Sequence, residues 1–158
     1  MRVRSLTMFR HAKTEHDSPS GRDFDRVLAE RGRRDATRMG DEFRALGLSW
    51  DLVLSSPARR AAQTANLAGL DPVYDERIYD ASTGYLLAIV QETPSSVRRL
   101  MLVGHNPGFE QLAAMLAGLP LDMATGTAVE LVLPVDDWAA VGKERGTLAR
   151  MLRPKELG

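Results

Sequence analysis

The chain has 158 residues, and its 21 Lys and Arg balance 21 Asp and Glu, so the formal net charge is zero. That length holds one domain with a substantial core and is too short for two, while the charge balance supplies no global field for nucleic acid or an anionic membrane. Cysteine is absent and aromatics make up 6% of residues, which excludes disulfides and thiolate metal sites, fits a reducing compartment, and leaves few rings for stacking bases.

The opening "MRVRSLTMFRH" reaches Arg10 before any apolar stretch of signal-peptide length, and no later run approaches a membrane span. A soluble, cytoplasmic protein is expected. Residues 3–9 form the first β-rich run. Ala36, Met39, Phe43 and Leu46 then recur at helical spacing up to Gly47. "DLVLSS" (51–56) is the second strand, and "PARRAAQTANLAGL" opens with a proline in the first turn and runs through helix formers to Gly69. "RLMLVG" (99–104) is the third strand, followed by a helix after Pro107 with Phe109, Leu112, Ala113 and Leu116 on one face. "AVELVL" and "TLARML" are the fourth and fifth. Strands alternating with helices predict a single α/β domain over 1–158, a three-layer α/β/α sandwich around a mostly parallel sheet. Met39, Met101, Met115 and Met123 sit among apolar neighbours and are expected in the core.

In such a fold the functional loops lie at the carboxyl ends of the strands. The first strand ends in Arg10-His11, the second in Ser55-Ser56-Pro57 followed by Arg60, and the third in Gly104-His105-Asn106-Pro107. If these strands are parallel neighbours, two arginines and two histidines from distant parts of the chain converge on one rim. Such donors would hold an anion with several oxygens, such as phosphate.

"FRHAKTEH", "LSSPARRAAQTA" and "LVGHNPGFEQLA" resemble the three signature segments of the histidine phosphatase superfamily, whose fold is that of the phosphoglycerate mutases. The small SixA-like phosphohistidine phosphatases are the more similar branch. The likeness covers nearly the whole chain, including "LAERGRRDATRMG" and "ATGTAVELVLP". It departs at Ala12-Lys13, where much of the superfamily has glycine after the histidine; this bears on the subgroup more than on the chemistry.

The resemblance implies that His11 takes up the phosphoryl group and that water then hydrolyses the phosphohistidine, with no cofactor and no metal. Neutral imidazole is the nucleophile, and its ordinary pKa of about 6.5 makes that form available near pH 7. One ring nitrogen must donate to a fixed acceptor, a main-chain carbonyl of the loop, so that the other faces phosphorus. Arg10 and Arg60 would neutralise the phosphoryl oxygens with planar forks, His105 would donate a further hydrogen bond, and Lys13 is an additional candidate phosphate contact.

Each residue also has a plainer structural reading. Arg10 alone could pair at a strand end, Arg60 could be a solvated helix residue, Arg59 competes for the role of Arg60, and Lys13 could be a surface lysine. His16 is expected at the surface, without the i, i+4 spacing from His11 of a helical metal pair. Ser55 and Ser56 lack the nucleophile elbow of a serine hydrolase.

For a general acid the candidates lie in "YDERIYDAST": Asp80 and Glu76, with Asp75. An imidazole leaving group needs less acid help than an alkoxide, so phosphohistidine in a protein is the expected substrate. The 44 residues between Arg60 and His105 leave little chain for a lid, which favours an open pocket. A small phosphomonoester, a noncatalytic phosphate-binding module and a nucleic-acid-contacting helix are the alternatives.

Overall fold

Leu6, Thr7, Met8 and Phe9 are all buried because the strand that carries them is covered on both faces, as a continuous apolar run in an α/β sheet requires. The computed structural model describes residues 2–157. In chain order its elements are β1 (Arg4–Arg10), α1 (Glu30–Ala45), β2 (Leu52–Ser55), α2 (Arg59–Leu67), β3 (Val73–Tyr74), α3 (Thr83–Gln91), β4 (Arg99–Gly104), α4 (Gly108–Ala117), β5 (Ala128–Leu133) and β6 (Thr147–Leu152), with short 3₁₀ turns between some of them. The sheet order is β3-β2-β4-β1-β5-β6. β1 and β4, β2 and β4, and β2 and β3 pair in parallel, whereas β5 and β6 are antiparallel additions at one side.

Alternation along the strands divides the core. Leu6, Met8, Leu100, Leu102, Val129 and Leu131 face α3 and α4, where Leu86, Ile89, Phe109 and Leu112 meet them. Phe9, Met101, Val103 and Val53 face α1 and α2, against Met39, Phe43, Ala61 and Ala65. Each such large side chain contributes about 1.5–3 kcal/mol on burial. The predicted three-layer α/β architecture is therefore present, with the predicted parallel core.

Register matters most for function. Arg10 stands opposite Gly104, and Ser55 opposite Val103, so the carboxyl ends of β1, β2 and β4 share one edge. The start of α1 is tied to the same edge: Ala29 N–H donates to the Lys13 carbonyl at 2.9 Å. Gly32 lets the helix come that close, since a Cβ there would lie 2.0 Å from the Lys13 carbonyl oxygen.

Some expectations need correction. β1 begins and ends one residue later than the apolar run, because Val3 lies outside it and is exposed. α2 starts at Arg59 with Ala58 as N-cap, so Pro57 precedes the helix. Leu46, expected on the buried stripe of α1, is exposed because the helix stops at Ala45 and the chain turns through Gly47, whose φ is 71°. Met115, expected in the core, is 49% exposed; it falls on the side of α4 away from Phe109, Leu112 and Leu116. Met39, Met101 and Met123 are buried as expected. Among the described residues no helix is long and apolar enough to cross a membrane.

Candidate active site

His11 leaves the end of β1 with both main-chain groups held: its N–H donates to the Gly104 carbonyl at 2.9 Å, and its carbonyl accepts from Gly126 N–H at 2.8 Å. The ring is fixed as well. Nδ1 lies 2.8 Å from the Ala12 carbonyl oxygen, which can only accept, so Nδ1 carries the proton and Nε2 keeps its lone pair. The next amide is anchored from α2, where the Thr64 hydroxyl accepts from Ala12 N–H at 3.0 Å and donates to the Arg60 carbonyl at 2.7 Å. His11 is 7% exposed. Burial lowers its pKa to about 4, the bond to Ala12 opposes the change, and the charges of Arg60, Arg10 and Arg26 add to it. The ring is therefore neutral at pH 7 with one nucleophilic nitrogen.

His105 follows β4, and its ring centroid lies 5.3 Å from that of His11. Its Nε2 is 2.8 Å from the Ser56 hydroxyl. Burial first, then the neighbouring His11 and Arg60, lower its pKa to about 3. The edge of the pair is closed by Tyr79, packed edge to face on His105 at 5.7 Å and on Phe24 at 5.1 Å.

Arg10 and Arg60 bring guanidinium groups to this pair from β1 and α2. Arg10 Nη1 donates to the Met123 carbonyl at 2.8 Å, while its Nε is buried without a partner among the described residues. Arg60 is buried and Arg59 is exposed, so of the two it is Arg60 that turns inward. Arg60 donates through Nη1 to the Asp23 carbonyl at 2.8 Å and through Nη2 to its carboxylate at 3.0 Å. That carboxylate also accepts from the Tyr79 hydroxyl at 2.7 Å and pairs with Arg26 at 3.2 Å. The Tyr79 bond, with help from Arg60 and Arg26 and against partial burial, holds the Asp23 pKa at about 2. Arg60 and Arg26 share the one ionised carboxylate of Asp23, and together with Arg10 their charges act on His11, which makes the site locally cationic on a chain with no net charge.

Among the described residues, the side chains of the other predicted site residues make no hydrogen bond to Arg10, His11, Arg60 or His105, although the charge of Asp80 acts on Tyr79. Lys13 is exposed, and its main-chain carbonyl, not its ammonium group, is engaged by α1. Glu76 and Asp80 are exposed, Asp80 with a left-handed φ of 55°. Asp75 is bound by Arg77 at 2.7 Å, and that pairing lowers its pKa. His16 is exposed as expected. Among the described residues no group of three or more His, Asp or Glu side chains is placed to hold a metal ion. Sequence reading missed Asp23, Arg26, Tyr79 and Thr64. The i, i+4 spacing of Arg60 and Thr64 on α2 was the one available hint.

The sequence pattern of the histidine phosphatase superfamily (branch 1) matches residues 6–99. An uncharacterized protein of Mycobacterium tuberculosis is 40% identical over 113 residues, 70% of each chain. Among solved structures, the candidate phosphohistidine phosphatase SixA of Agrobacterium tumefaciens superposes with a TM-score of 0.81 at 30% identity, covering 96% of this chain and 98% of that one. Its counterpart from Nakamurella multipartitia gives 0.85 at 25% identity, covering 98% of both.

Proposed function

The chain belongs to the histidine phosphatase superfamily, in its SixA-like branch, and on that premise we propose that it dephosphorylates phosphohistidine in proteins through a covalent intermediate on His11. The observation that carries the proposal is the state of the His11 ring: neutral, with Nδ1–H spent on the Ala12 carbonyl and Nε2 left as the nucleophile. Nε2 attacks phosphorus, forming an N–P bond as the bond from phosphorus to the substrate imidazole breaks. The departing ring takes its proton from solvent. Water then attacks the phosphohistidine, releasing phosphate and returning the electron pair to Nε2. Arg10 and Arg60 neutralise the phosphoryl oxygens, with Arg26 adding to the field and His105 donating a hydrogen bond. No step calls on a metal.

The carboxylates favour this substrate class. Asp23 is ionised down to about pH 2 and cannot deliver a proton at neutral pH, and Asp80 and Glu76 are exposed. An alkoxide leaves slowly unless a positioned acid protonates it, whereas imidazole, with a conjugate-acid pKa of about 6.5, leaves readily. A compact phosphomonoester with an acidic leaving group could use the same site. The test is a comparison of kcat/KM for a phosphohistidine peptide and for the same peptide carrying phosphoserine. A preference of about 100-fold or more for phosphohistidine is expected, and equal rates would contradict the assignment.

A further inference from the structure

The hydroxyl of Ser56 has two partners and a single proton, and only one of the two can accept it. Ser56 lies just past β2, is fully buried, and its Oγ is 3.2 Å from Ala58 N and 2.8 Å from His105 Nε2. The Ala58 N–H can only donate, so Oγ is its acceptor. The hydroxyl proton then needs an acceptor of its own, and among the described residues His105 Nε2 is the group in reach. Were Nε2 protonated instead, Oγ would accept twice and its O–H would be buried unpaired, an arrangement that folded proteins avoid. From this count, and resting on the catalytic reading above, we infer that Ser56 is a positioning residue: it fixes His105 as the Nδ1–H tautomer and thereby gives the phosphoryl group a hydrogen-bond donor instead of a lone pair.

His105 Nδ1 has the environment this requires. It is buried and has no hydrogen-bond partner among the described residues, so the protein leaves its N–H unspent. In the proposed reaction the acceptor is a phosphoryl oxygen, brought between the two histidine rings. A lone pair at the same place would repel that oxygen. Burial and the surrounding cations keep the ring neutral at pH 7, so the tautomer, not protonation of the whole ring, decides whether Nδ1 can donate. The serine would thus act on turnover without touching substrate.

Long-range ¹H–¹⁵N correlation spectra of the full chain read the tautomer directly. The free wild-type protein is expected to hold His105 protonated at Nδ1 between pH 6 and 8. Ser56→Ala should move the proton toward Nε2, weaken binding of inorganic phosphate about ten-fold and lower kcat, and leave the His11 tautomer as it was. Ser56→Thr, which keeps the hydroxyl, should restore the wild-type His105 signal. An Nε2–H signal in the wild type, or an unchanged His105 signal in folded Ser56→Ala, overturns the inference. If Ser56→Ala does not fold, the wild-type spectrum decides alone. Failure of the covalent reaction would instead appear as turnover surviving His11→Ala, which leaves the His105 tautomer measurable, so the two outcomes are distinguishable.

Discussion

Lowering the pH separates this site from an ordinary histidine. An unperturbed imidazole with a pKa of about 6.5 is only about 3% neutral at pH 5. With its pKa lowered to about 4, His11 remains about 90% neutral at pH 5, roughly a thirty-fold difference in available nucleophile. The acidic limb of kcat/KM for an aryl phosphate, corrected for the ionisation of the substrate itself, should therefore have its midpoint near pH 4. Stability moves in the same range. The unfolded chain takes up a proton near pH 6.5 and the folded site does not until about pH 4, so the contribution of neutral His11 is complete above pH 6.5 and is lost as pH falls toward 4. The shift corresponds to about 3 kcal/mol of stability across that window. Circular dichroism at each pH distinguishes unfolding from titration of the site. A limb centred near pH 6.5 in protein that is still folded would refute the reasoning, because it would mean that burial and the arginines do not hold His11 neutral.

The remaining expectations concern single groups. Arg60→Ala should reduce kcat/KM for an aryl phosphate by about 100-fold or more, while Arg59→Ala stays within about two-fold, since Arg60 is buried in the site and Arg59 is exposed; equal losses in two folded variants would put the wrong arginine in the pocket. Extended dialysis against EDTA should leave the rate unchanged, and activity lost to the chelator and restored by a divalent ion would overturn the metal-free scheme. Thr64→Val removes the acceptor of Ala12 N–H and should cost about 1–3 kcal/mol in urea unfolding, with a loss of turnover from the loosened loop; a neutral effect on both would show that the His11 loop does not depend on α2.

The three strand ends were legible in the sequence because each joins an apolar run to a polar loop, and a parallel pairing brings such ends together whatever lies between them. Arg10, His11, Arg60 and His105 are consequently found where the motif order implied, and the main-chain acceptor expected for the His11 ring is the Ala12 carbonyl. The segment from Glu15 to Ala29 was not legible. It carries no periodicity, and its course is set by tertiary contacts: a single bridge between Thr14 and Leu28, the bond from Ala29 to Lys13, and the bonds that Asp23 accepts from Arg60 and Tyr79. The candidate acids likewise had no periodic pattern behind them. In "YDERIYDAST" composition alone pointed to the carboxylates, whereas the fold turns Tyr79 toward His105 and leaves Glu76 and Asp80 exposed. Leu46 and Met115 continue helical stripes on paper, but one lies beyond the end of its helix and the other on the outer side.

Covalent catalysis by His11 is tested most directly by trapping the intermediate. Wild-type protein mixed with a ³²P-labelled phosphohistidine peptide and quenched rapidly in alkali, where a phosphoramidate survives, should carry label on His11, located by mass spectrometry of the digested chain. His11→Ala should carry none and should not turn over, yet still bind inorganic phosphate through Arg10, Arg60 and His105. Label on His105 in the wild type, or substantial turnover by folded His11→Ala, would contradict the account.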